Sequence, residues 1–371
     1  FFFFNDTATT EIYTSSIRRQ RQMCIRDRLT RETTTNNSGS YLFGDLSLNT
    51  EYQLKSKRND EAANGVSTAD IVKIQRHILG IEELATPYKL IAADVNKSNS
   101  ITASDISEIR KLILGINAEF TKVPSWAIIP SDYVFVTPKQ PWDYSTEKTF
   151  VTLSQSSKVD FIAVKMGDVN NTANASNANG NASTRSGSSL NLFVDEKQLI
   201  AGESYTMDIK AMDFNNVNGF QFTLNFDPAV LAFDGYESKS LAVDASNFGT
   251  VKSENGLLTM SWDAKQAMNL DENQILFSLK FNVLANSANN KLFAITSDIT
   301  AAEAYNDKLD VKSVKLSVRS GKSIVESSMF ELYQNAPNPF DKITEISFRM
   351  AEDAIANLSI CLLYTSDAAD E

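Results

Sequence analysis

The sequence has few of the side chains on which catalysis usually depends. It contains one histidine, His77, and two cysteines, Cys24 and Cys361, in 371 residues. A Ser/His/Asp triad, a Cys/His pair or a histidine-rich zinc site therefore has almost nothing to be built from. His77 lies beside Arg76 in a helical pattern and is predicted to be a half-exposed surface residue. We expect that this chain is not itself an enzyme.

Positive charge and long apolar runs are also scarce. Lys and Arg number 35 against 46 Asp and Glu, which gives a formal net charge of −11. This balance argues against a nucleic-acid-binding surface, which needs clustered basic residues. No apolar run is long enough for a membrane-spanning helix. The hydrophobic content of 42% is typical of soluble domains with a buried core, and the length predicts two to three domains.

The two ends of the chain differ from the rest. Residues 1–28 have no helix or strand period, and their Phe run precedes an Arg cluster, the reverse of a signal peptide. Residues 361–371 interrupt a strand pattern. Both stretches resemble translated sequencing-adapter read-through, and an ordinary disordered tail is the alternative. Without them the chain is acidic and free of cysteine, as is typical of an exported bacterial protein.

Composition divides the rest of the first half. Within residues 30–58, the run GSYLFGDLSLNTEYQLK resembles the last strands of carboxypeptidase-regulatory-like or Cna-B-like modules, so this segment is predicted to be the remnant of a β domain. Residues 121–168 are rich in proline and aromatic residues, and we expect an extension that ends in the strand 159–165. Residues 169–189 are low-complexity Asn, Ala, Ser and Gly, which predicts a flexible linker.

Residues 59–120 contain an internal duplication. Two segments that end in HILGI and LILGI repeat at an offset of 35 residues, each with a polar loop before an amphipathic helix. Gly80 and Gly115 follow the two helices as stop signals. The sequence therefore predicts a small all-α pair of loop–helix repeats.

The second repeat carries the most informative motif. Oxygen-bearing side chains occupy alternate positions of a twelve-residue loop, and one further position would offer its backbone carbonyl. The predicted donors are Asp94, Asn96, Ser98, Ser100 (carbonyl), Thr102 and Asp105. Ca²⁺ takes six to eight oxygen ligands, which this alternation supplies as the chain curls around the ion. A capping box of Thr102 and Asp105 would need no metal, but it leaves Asp94 and Asn96 unexplained.

The first repeat is degenerate. Counting back from its last acid gives the donors Asn59, Glu61, Gly65, Ser67 and Asp70. Ala63 offers no ligand, although Asp60 could shift into its place. A capped helix-turn without metal is the competing interpretation. The segment Gly167-Asp168-Val169-Asn170 resembles the opening of another such loop, but no donors follow it in sequence. We interpret it as a strand end that enters the linker.

The duplicated segment resembles a dockerin type I domain, the calcium-stabilised module that docks onto cohesins. The resemblance covers residues 57–118 and rests on the second loop and the ILGI and LILG helix ends. It implies that loop positions 10 and 11 face the partner. These positions are Thr68, Ala69, Ala103 and Ser104.

Residues 190–318 alternate apolar and polar residues, which predicts a two-sheet β-sandwich with inward apolar faces. The runs VNGFQFTLNFDPAVLAFDGYES, LLTMSWD and QILFSLKFNVLA resemble a cohesin domain, a jelly-roll-like sandwich. Carbohydrate-binding modules share this architecture. Trp262 and Tyr236 could stack on sugar, but we expect both to pack in the core.

Residues 330–360 resemble the C-terminal sorting domain of the Bacteroidetes type IX secretion system. A Pro-Asn-Pro-Phe turn between strand-like runs carries the resemblance, and a plain proline-rich turn is the alternative. We expect this domain to be truncated by the tail that follows.

Together these patterns predict a multidomain, mostly β chain: an all-α repeat pair, then a β-sandwich, then a truncated β sorting domain. We expect a non-catalytic, secreted or outer-surface protein whose calcium-bound dockerin-like module binds a cohesin-type domain, in cis or in another copy. Two alternatives stay open. The sandwich could bind polysaccharide, or the chain could be the accessory region of a polysaccharide-degrading enzyme whose catalytic domain lies upstream.

Overall fold

A computed structural model describes residues 9–14, 30–36, 39–150, 152–174, 188–321, 323–326, 330–332 and 348–350. The α-helices in these residues are α1 (Thr68–Ile78), α2 (Pro87–Ala93) and α3 (Ala103–Ile113). The strands are β1 (Thr9–Thr14), β2 (Thr30–Thr34), β3 (Tyr52–Lys57), β4 (Trp126–Pro130), β5 (Glu147–Phe150), β6 (Phe161–Lys165), β7 (Ser189–Asp195), β8 (Gln198–Leu199), β9 (Ser204–Ala211), β10 (Phe214–Phe226), β11 (Leu231–Ser238), β12 (Phe248–Gly249), β13 (Leu257–Leu270), β14 (Phe277–Val283), β15 (Ser287–Ala288), β16 (Phe293–Thr296), β17 (Glu303–Tyr305), β18 (Val311–Ser320), β19 (Ser323–Glu326), β20 (Phe330–Leu332) and β21 (Phe348–Met350).

Helices α1 and α3 begin at capping boxes. Asp70 accepts the N–H of its N-cap residue Ser67 at 2.9 Å, and Asp105 accepts that of Thr102 at 3.0 Å. Each arrangement satisfies backbone donors that the first turn of a helix leaves free. Both predicted capping boxes are therefore formed.

Residues 121–168, which we expected to form an extension, instead supply two strands that complete the core of the helical repeats. Strands β4 and β6 pair antiparallel. Their side chains Ile129 and Val164 join the same buried cluster as Ile74 of α1 and Ile109 of α3. Two short helices cannot bury enough apolar surface alone, so the aromatic and aliphatic strands cover them. We call the unit formed by residues 59–174 the helical module.

A four-stranded sheet in the order β2-β1-β3-β5 lies at the start of the chain. Its second strand comes from residues 1–28, which we expected to be foreign, and β5 comes from residues 121–168. The segment 30–58 is thus not an isolated remnant, because its strand β3 pairs on both edges. A lone hairpin is marginal in water, and extra strands are what make such a segment stable.

Residues 189–326 form a curled sheet in the order β11-β14-β9-β7-β18-β17-β10-β13-β12, with β16 on β10 and β19 on β18. Strands β7 and β18 pair in parallel. Two layers face each other across an aromatic core, in which Phe226 of β10 lies 5.2 Å from Phe281 of β14 between ring centroids. The predicted sandwich is confirmed. Trp262 is 3% exposed and Tyr236 stacks on Phe248, so both pack as expected.

The last strands, β20 and β21, pair antiparallel. The Pro-Asn-Pro-Phe turn between them, the tail 361–371 and most of the predicted linker lie outside the described residues. In the part of the chain that the structure describes, no helix has the length and apolarity needed to cross a membrane.

The sandwich core generates a stability prediction. Phe281→Ala removes a fully buried ring that touches rings from several strands, and should lower the free energy of unfolding by about 3–5 kcal/mol. Leu284→Ala, at a side chain 54% exposed, should change it by less than about 0.5 kcal/mol. Urea unfolding of both variants measures the difference, and equal losses would contradict this description of the core.

Candidate functional site

Strand β10 is buried on both faces, which a sandwich alone does not explain. Its inward side chains fill the core, while the outward Gln221 and Thr223 are only 2% and 0% exposed. On the neighbouring strand β13, the outward Ser261 is also 0% exposed. An antiparallel sheet commonly leaves one face to solvent. Here α1 and α3 cover a surface that we call the docking face, made of the cross-strand pairs Gly219/Asp263, Gln221/Ser261 and Thr223/Thr259.

Thr68, the first residue of α1, makes the central contact with the docking face. Its N–H and its hydroxyl donate to Gln221 Oε1 at 2.7 and 2.8 Å, and its hydroxyl lies 2.8 Å from Ser261 Oγ. All three residues are almost fully buried, so these groups satisfy one another. Leaving one of them unpaired would cost about 1–3 kcal/mol. Gly219 makes room, because a Cβ there would lie 3.0 Å from Thr68 Cγ2.

The C-terminal end of α3 makes a second set of contacts. Thr259 Oγ1 donates to the Leu114 carbonyl, and Thr300 Oγ1 donates to the Ile113 carbonyl, both at 2.7 Å. Carbonyls in the last turn of a helix have no intrahelical partner, so the two hydroxyls of the sandwich satisfy them. A Cβ at Gly249 would lie 2.6 Å from the Leu114 carbonyl oxygen, so glycine allows this close approach.

Two arginines of the helices complete the interface. Arg110 of α3 pairs with Asp263, whose side chain is 4% exposed. Burial raises the pKa of Asp263 against the lowering effect of Arg110. Arg76 of α1 donates to Asn218 Oδ1 at 2.8 Å and to the Asp307 carbonyl at 2.7 Å. The docking face is therefore held by hydroxyl, amide and charged groups, not by a large apolar patch.

The four residues predicted to face a partner divide into two pairs. Thr68 contacts the docking face and Ala69 beside it is buried, whereas Ala103 and Ser104 are exposed. The arginines and the carbonyls at the end of α3 were missed, since nothing in the loop motif singles out helix residues beyond it. His77 is half-buried, and its Nδ1 accepts the Leu84 N–H at 3.3 Å, a structural role.

The loop of the second repeat closes around its two carboxylates. Asp94 accepts the N–H groups of Ser98 and Asn99 at 2.8 and 2.9 Å, and Asp105 accepts that of Asn96 at 3.2 Å. The hydroxyl of Ser98 donates to the Ser100 carbonyl at 3.1 Å. Asn99, at the usual glycine position, takes the left-handed conformation with φ 62°. The predicted donors are thus brought together in one curled loop.

One predicted ligand oxygen of this loop has no hydrogen-bond partner within the described residues. Asn96 Oδ1 is buried and has no hydrogen-bond partner among the described residues. Burying an amide oxygen without a partner is unfavourable. A hard cation among the loop oxygens would satisfy it, since amide and carboxylate oxygens are the ligands that Ca²⁺ prefers. The residues present therefore fit the ion that the dockerin resemblance implies.

The residues predicted for the first half of the first-repeat loop make other contacts in the structure. Asn59 Oδ1 accepts the Ser125 N–H at 2.7 Å, and Glu61 Oε2 accepts from Asn64 Nδ2 at 3.0 Å, so both are engaged elsewhere. Only Gly65, Ser67 and Asp70 keep the places expected of them. The reason is topological: the segment before Asn64 leads in from the β3 side, not around the N-terminus of α1.

Residues 168–173 occupy that place instead, so the predicted linker begins later than we expected. Asp168 accepts the N–H groups of residues 170 to 173 at 2.6 to 3.2 Å, and Asp70 accepts those of Val169 and Asn170 at 2.9 and 3.2 Å. Thr172 Oγ1 donates to the Gly65 carbonyl at 2.9 Å. Burial, reinforced by the charge of Asp168, raises the pKa of Asp70 well above its usual range.

Each loop contains two carboxylates, and its other oxygens are uncharged. Accordingly, no group of three or more His, Cys, Asp or Glu side chains converges anywhere in the residues that the structure describes. Zinc, which prefers nitrogen and sulfur, has no suitable ligand set in these loops.

Comparison with known proteins identifies the sandwich. Residues 190–320 match the family model of the cohesin domain. No curated protein matches the chain. The sixth cohesin of scaffoldin B from Acetivibrio cellulolyticus, solved in complex with a Cel5 dockerin, is 18% identical and covers 35% of this chain and 94% of its own, with a TM-score of 0.27. The seventh ScaB type I cohesin from Pseudobacteroides cellulosolvens is 18% identical and covers 38% and 94%, also with 0.27.

A cohesin in the Coh-OlpC complex from Clostridium thermocellum is 13% identical and covers 35% of this chain and 89% of its own, with a TM-score of 0.27. The family-model match assigns residues 190–320 as a cohesin domain. Cohesin domains are non-catalytic, dockerin-binding modules of extracellular or cell-surface scaffolds.

The buried ion pair at the docking face generates a prediction. Asp263→Asn leaves Arg110 without its counter-charge and should weaken packing of the helical module by about 3 kcal/mol. Glu83→Gln breaks the exposed Lys139–Glu83 pair and should cost less than about 1 kcal/mol. Hydrogen exchange of the α3 amides measures both losses. Equal protection in the two variants would contradict the importance of this contact.

Proposed function

We propose that this chain is a non-catalytic modular protein of the bacterial exterior, in which a calcium-stabilised, dockerin-like module binds the cohesin domain of the same chain. The observation that carries the proposal is the burial of the docking face beneath α1 and α3. Thr68, Gln221 and Ser261 are joined there by hydrogen bonds and are closed off from solvent.

The chemistry of this contact favours recognition over mere adhesion. Hydroxyl, carboxamide and guanidinium groups of the two sides form specific hydrogen bonds, so a partner without these groups would leave buried polar groups unpaired. The module sits on the polar, outward face of β10 and β13, which the cohesin core does not use. A cohesin domain that is occupied in this way has a dockerin-like partner already in place.

Calcium in the second loop would be held by the oxygens of Asp94, Asn96, Ser98 and Asp105, with Thr102 and the Ser100 carbonyl completing the set. The ion supplies a positive charge that offsets the two buried carboxylates. The chain's own residues curl the loop and fix the N-terminus of α3. That helix carries Arg110 and the carbonyls that reach the docking face, so order in the loop supports the interface.

Export by type IX secretion rests on the resemblance of residues 330–360 to a sorting domain and stays a prediction. Polysaccharide binding by the sandwich has less support, because Trp262 and Tyr236 pack in the core. A role as the accessory region of a polysaccharide-degrading enzyme is compatible with the same docking contact and concerns a catalytic domain outside this sequence.

A cleavable linker tests the docking contact in the full chain. A specific protease site is inserted between residues 175 and 187, the chain is cut, and the two pieces are run on a size-exclusion column. We expect the pieces to elute together at micromolar concentration in calcium. Separation of the pieces in calcium would contradict the proposal.

Two arginine substitutions provide the matched comparison. Ser261→Arg places a long side chain at the centre of the docking face, where α1 leaves no space, and should let the pieces separate. Asn282→Arg adds the same charge to an exposed position on β14 of the other layer and should leave them together. Circular dichroism of each variant confirms that the sandwich is folded.

Because Asn96 Oδ1 has no hydrogen-bond partner in the part of the chain that the structure describes, the effect of Asn96→Ala on the Tm should differ between calcium and EGTA. In calcium, Asn96→Ala removes a ligand and should lower the affinity of the loop at least about tenfold, with a lower Tm than the wild type. In EGTA the same substitution removes a buried oxygen that has no partner, so the Tm should not fall. Equal loss of Tm in both buffers would mean that Asn96 is not a ligand.

A further inference from the structure

We propose that the first repeat holds a second calcium-type cation site, assembled from two segments that lie about a hundred residues apart in sequence. Residues 168–172 supply one half of the loop and residues 65–70 supply the other. The donors are the side chains of Asp168, Asn170, Thr172, Ser67 and Asp70 and the carbonyl of Gly65. The proposal deepens the function proposed above and rests on it for the identity of the cation.

The first half of this split loop repeats the opening of the second-repeat loop. Asp168 accepts the N–H groups four and five residues later, as Asp94 does. The residue three positions after each aspartate is left-handed, with φ 62° at Asn171 and 55° at Lys97. The two openings also lie side by side, because Gly167 donates its N–H to the Ala92 carbonyl at 2.8 Å.

The second half repeats the close of that loop. Asp70 accepts the N–H groups of Asn170 and Ser67, just as Asp105 accepts those of Asn96 and Thr102. The hydroxyl of Thr172 donates to the Gly65 carbonyl, as that of Ser98 donates to the Ser100 carbonyl. Every donor of the complete loop thus has a counterpart in the split one.

The junction between the halves is built for close approach. Gly65 has φ 73°, and a Cβ there would lie 2.3 Å from the backbone of Ala173, so no other residue fits without a shift. Asn64 and Asn174 exchange hydrogen bonds from side chain to backbone at 2.7 and 3.0 Å. These contacts hold the two halves together at the point where a contiguous loop has a peptide bond.

The charge of the site calls for a cation. Asp70 is 0% exposed and Asp168 is 5% exposed, and neither forms an ion pair within the described residues. Lys165, the basic residue that acts on both electrostatically, donates instead to the carbonyls of Ala62 and Met166. Two buried carboxylates beside each other are unfavourable when both are ionised, and a cation bound between them would offset that cost.

The split site has a mechanical consequence. Its ion would fasten the segment that leads into the linker to the N-terminus of α1. The same helix start carries Thr68, which lies between the ligands Ser67 and Asp70 and donates to Gln221 of the docking face. Cation binding at the split site and docking of the cohesin domain therefore stabilise each other.

Calcium stoichiometry in the full chain tests the proposal. Chelator-treated protein is titrated with CaCl₂ by calorimetry, and hydrogen exchange follows the peptide 166–174. We expect two ions for the wild type and one for Asp168→Asn. Glu61→Gln, the matched change in the contiguous loop, should keep two. Calcium should slow exchange of that peptide in the wild type and in Glu61→Gln, but not in Asp168→Asn.

Further variants separate this inference from the proposed second-repeat site. Asp94→Asn should also bind one ion, and calcium should still protect peptide 166–174 from exchange. If that variant binds two ions, the second-repeat site is contradicted but the split site is not. If Asp168→Asn fails to fold, Thr172→Val replaces it and should weaken one site at least about tenfold. Unchanged calcium binding in both Asp168→Asn and Thr172→Val, or loss of an ion in Glu61→Gln, would overturn the split loop.

Discussion

The structure depends on a small set of buried hydrogen bonds between a helix N-terminus and a β-sheet. Thr68 donates its backbone N–H and its hydroxyl to Gln221, and its hydroxyl oxygen lies 2.8 Å from Ser261 Oγ on the adjacent strand. These groups are hidden from water only while the helical module lies on the cohesin domain. Because each would be unsatisfied if buried alone, the contact is an all-or-none arrangement of matched polar groups.

The loops before α1 and α3 are connected to the interface through those helices. Each loop fixes the start of a helix through an aspartate that also caps it, Asp70 for α1 and Asp105 for α3. Helix α1 then presents Thr68 and α3 presents Arg110 to the sandwich. If an ion is bound in either loop, the order it creates at the start of the helix would reach the docking face through the short helix itself.

Local patterns were enough to predict the sandwich and both capped helices, because hydrophobic period and capping residues can be recognised in adjacent residues. The residues predicted to form the second loop do lie in one curled loop, and their role as calcium ligands stays a prediction. The hydrogen bonds of Asp70 with Val169 and Asn170 could not be predicted from the sequence, because these residues reach α1 only through the pairing of β4 and β6. The docking face could not be predicted from the sequence either. Gln221 and Ser261 alternate with core residues just as solvent-exposed polar residues would, and only their burial on both sides of β10 marks an interface.

Disulfide trapping measures the central claim, that the module binds the cohesin domain of its own chain, most directly. Thr68→Cys and Ser261→Cys are combined, with Cys24 and Cys361 changed to serine; the native side-chain oxygens lie 2.8 Å apart, within reach of a disulfide. If the module binds the cohesin domain of its own chain, an intramolecular crosslink forms, and its yield does not depend on protein concentration. Crosslinked dimers that grow with concentration, or no crosslink at all under oxidising conditions, would contradict it.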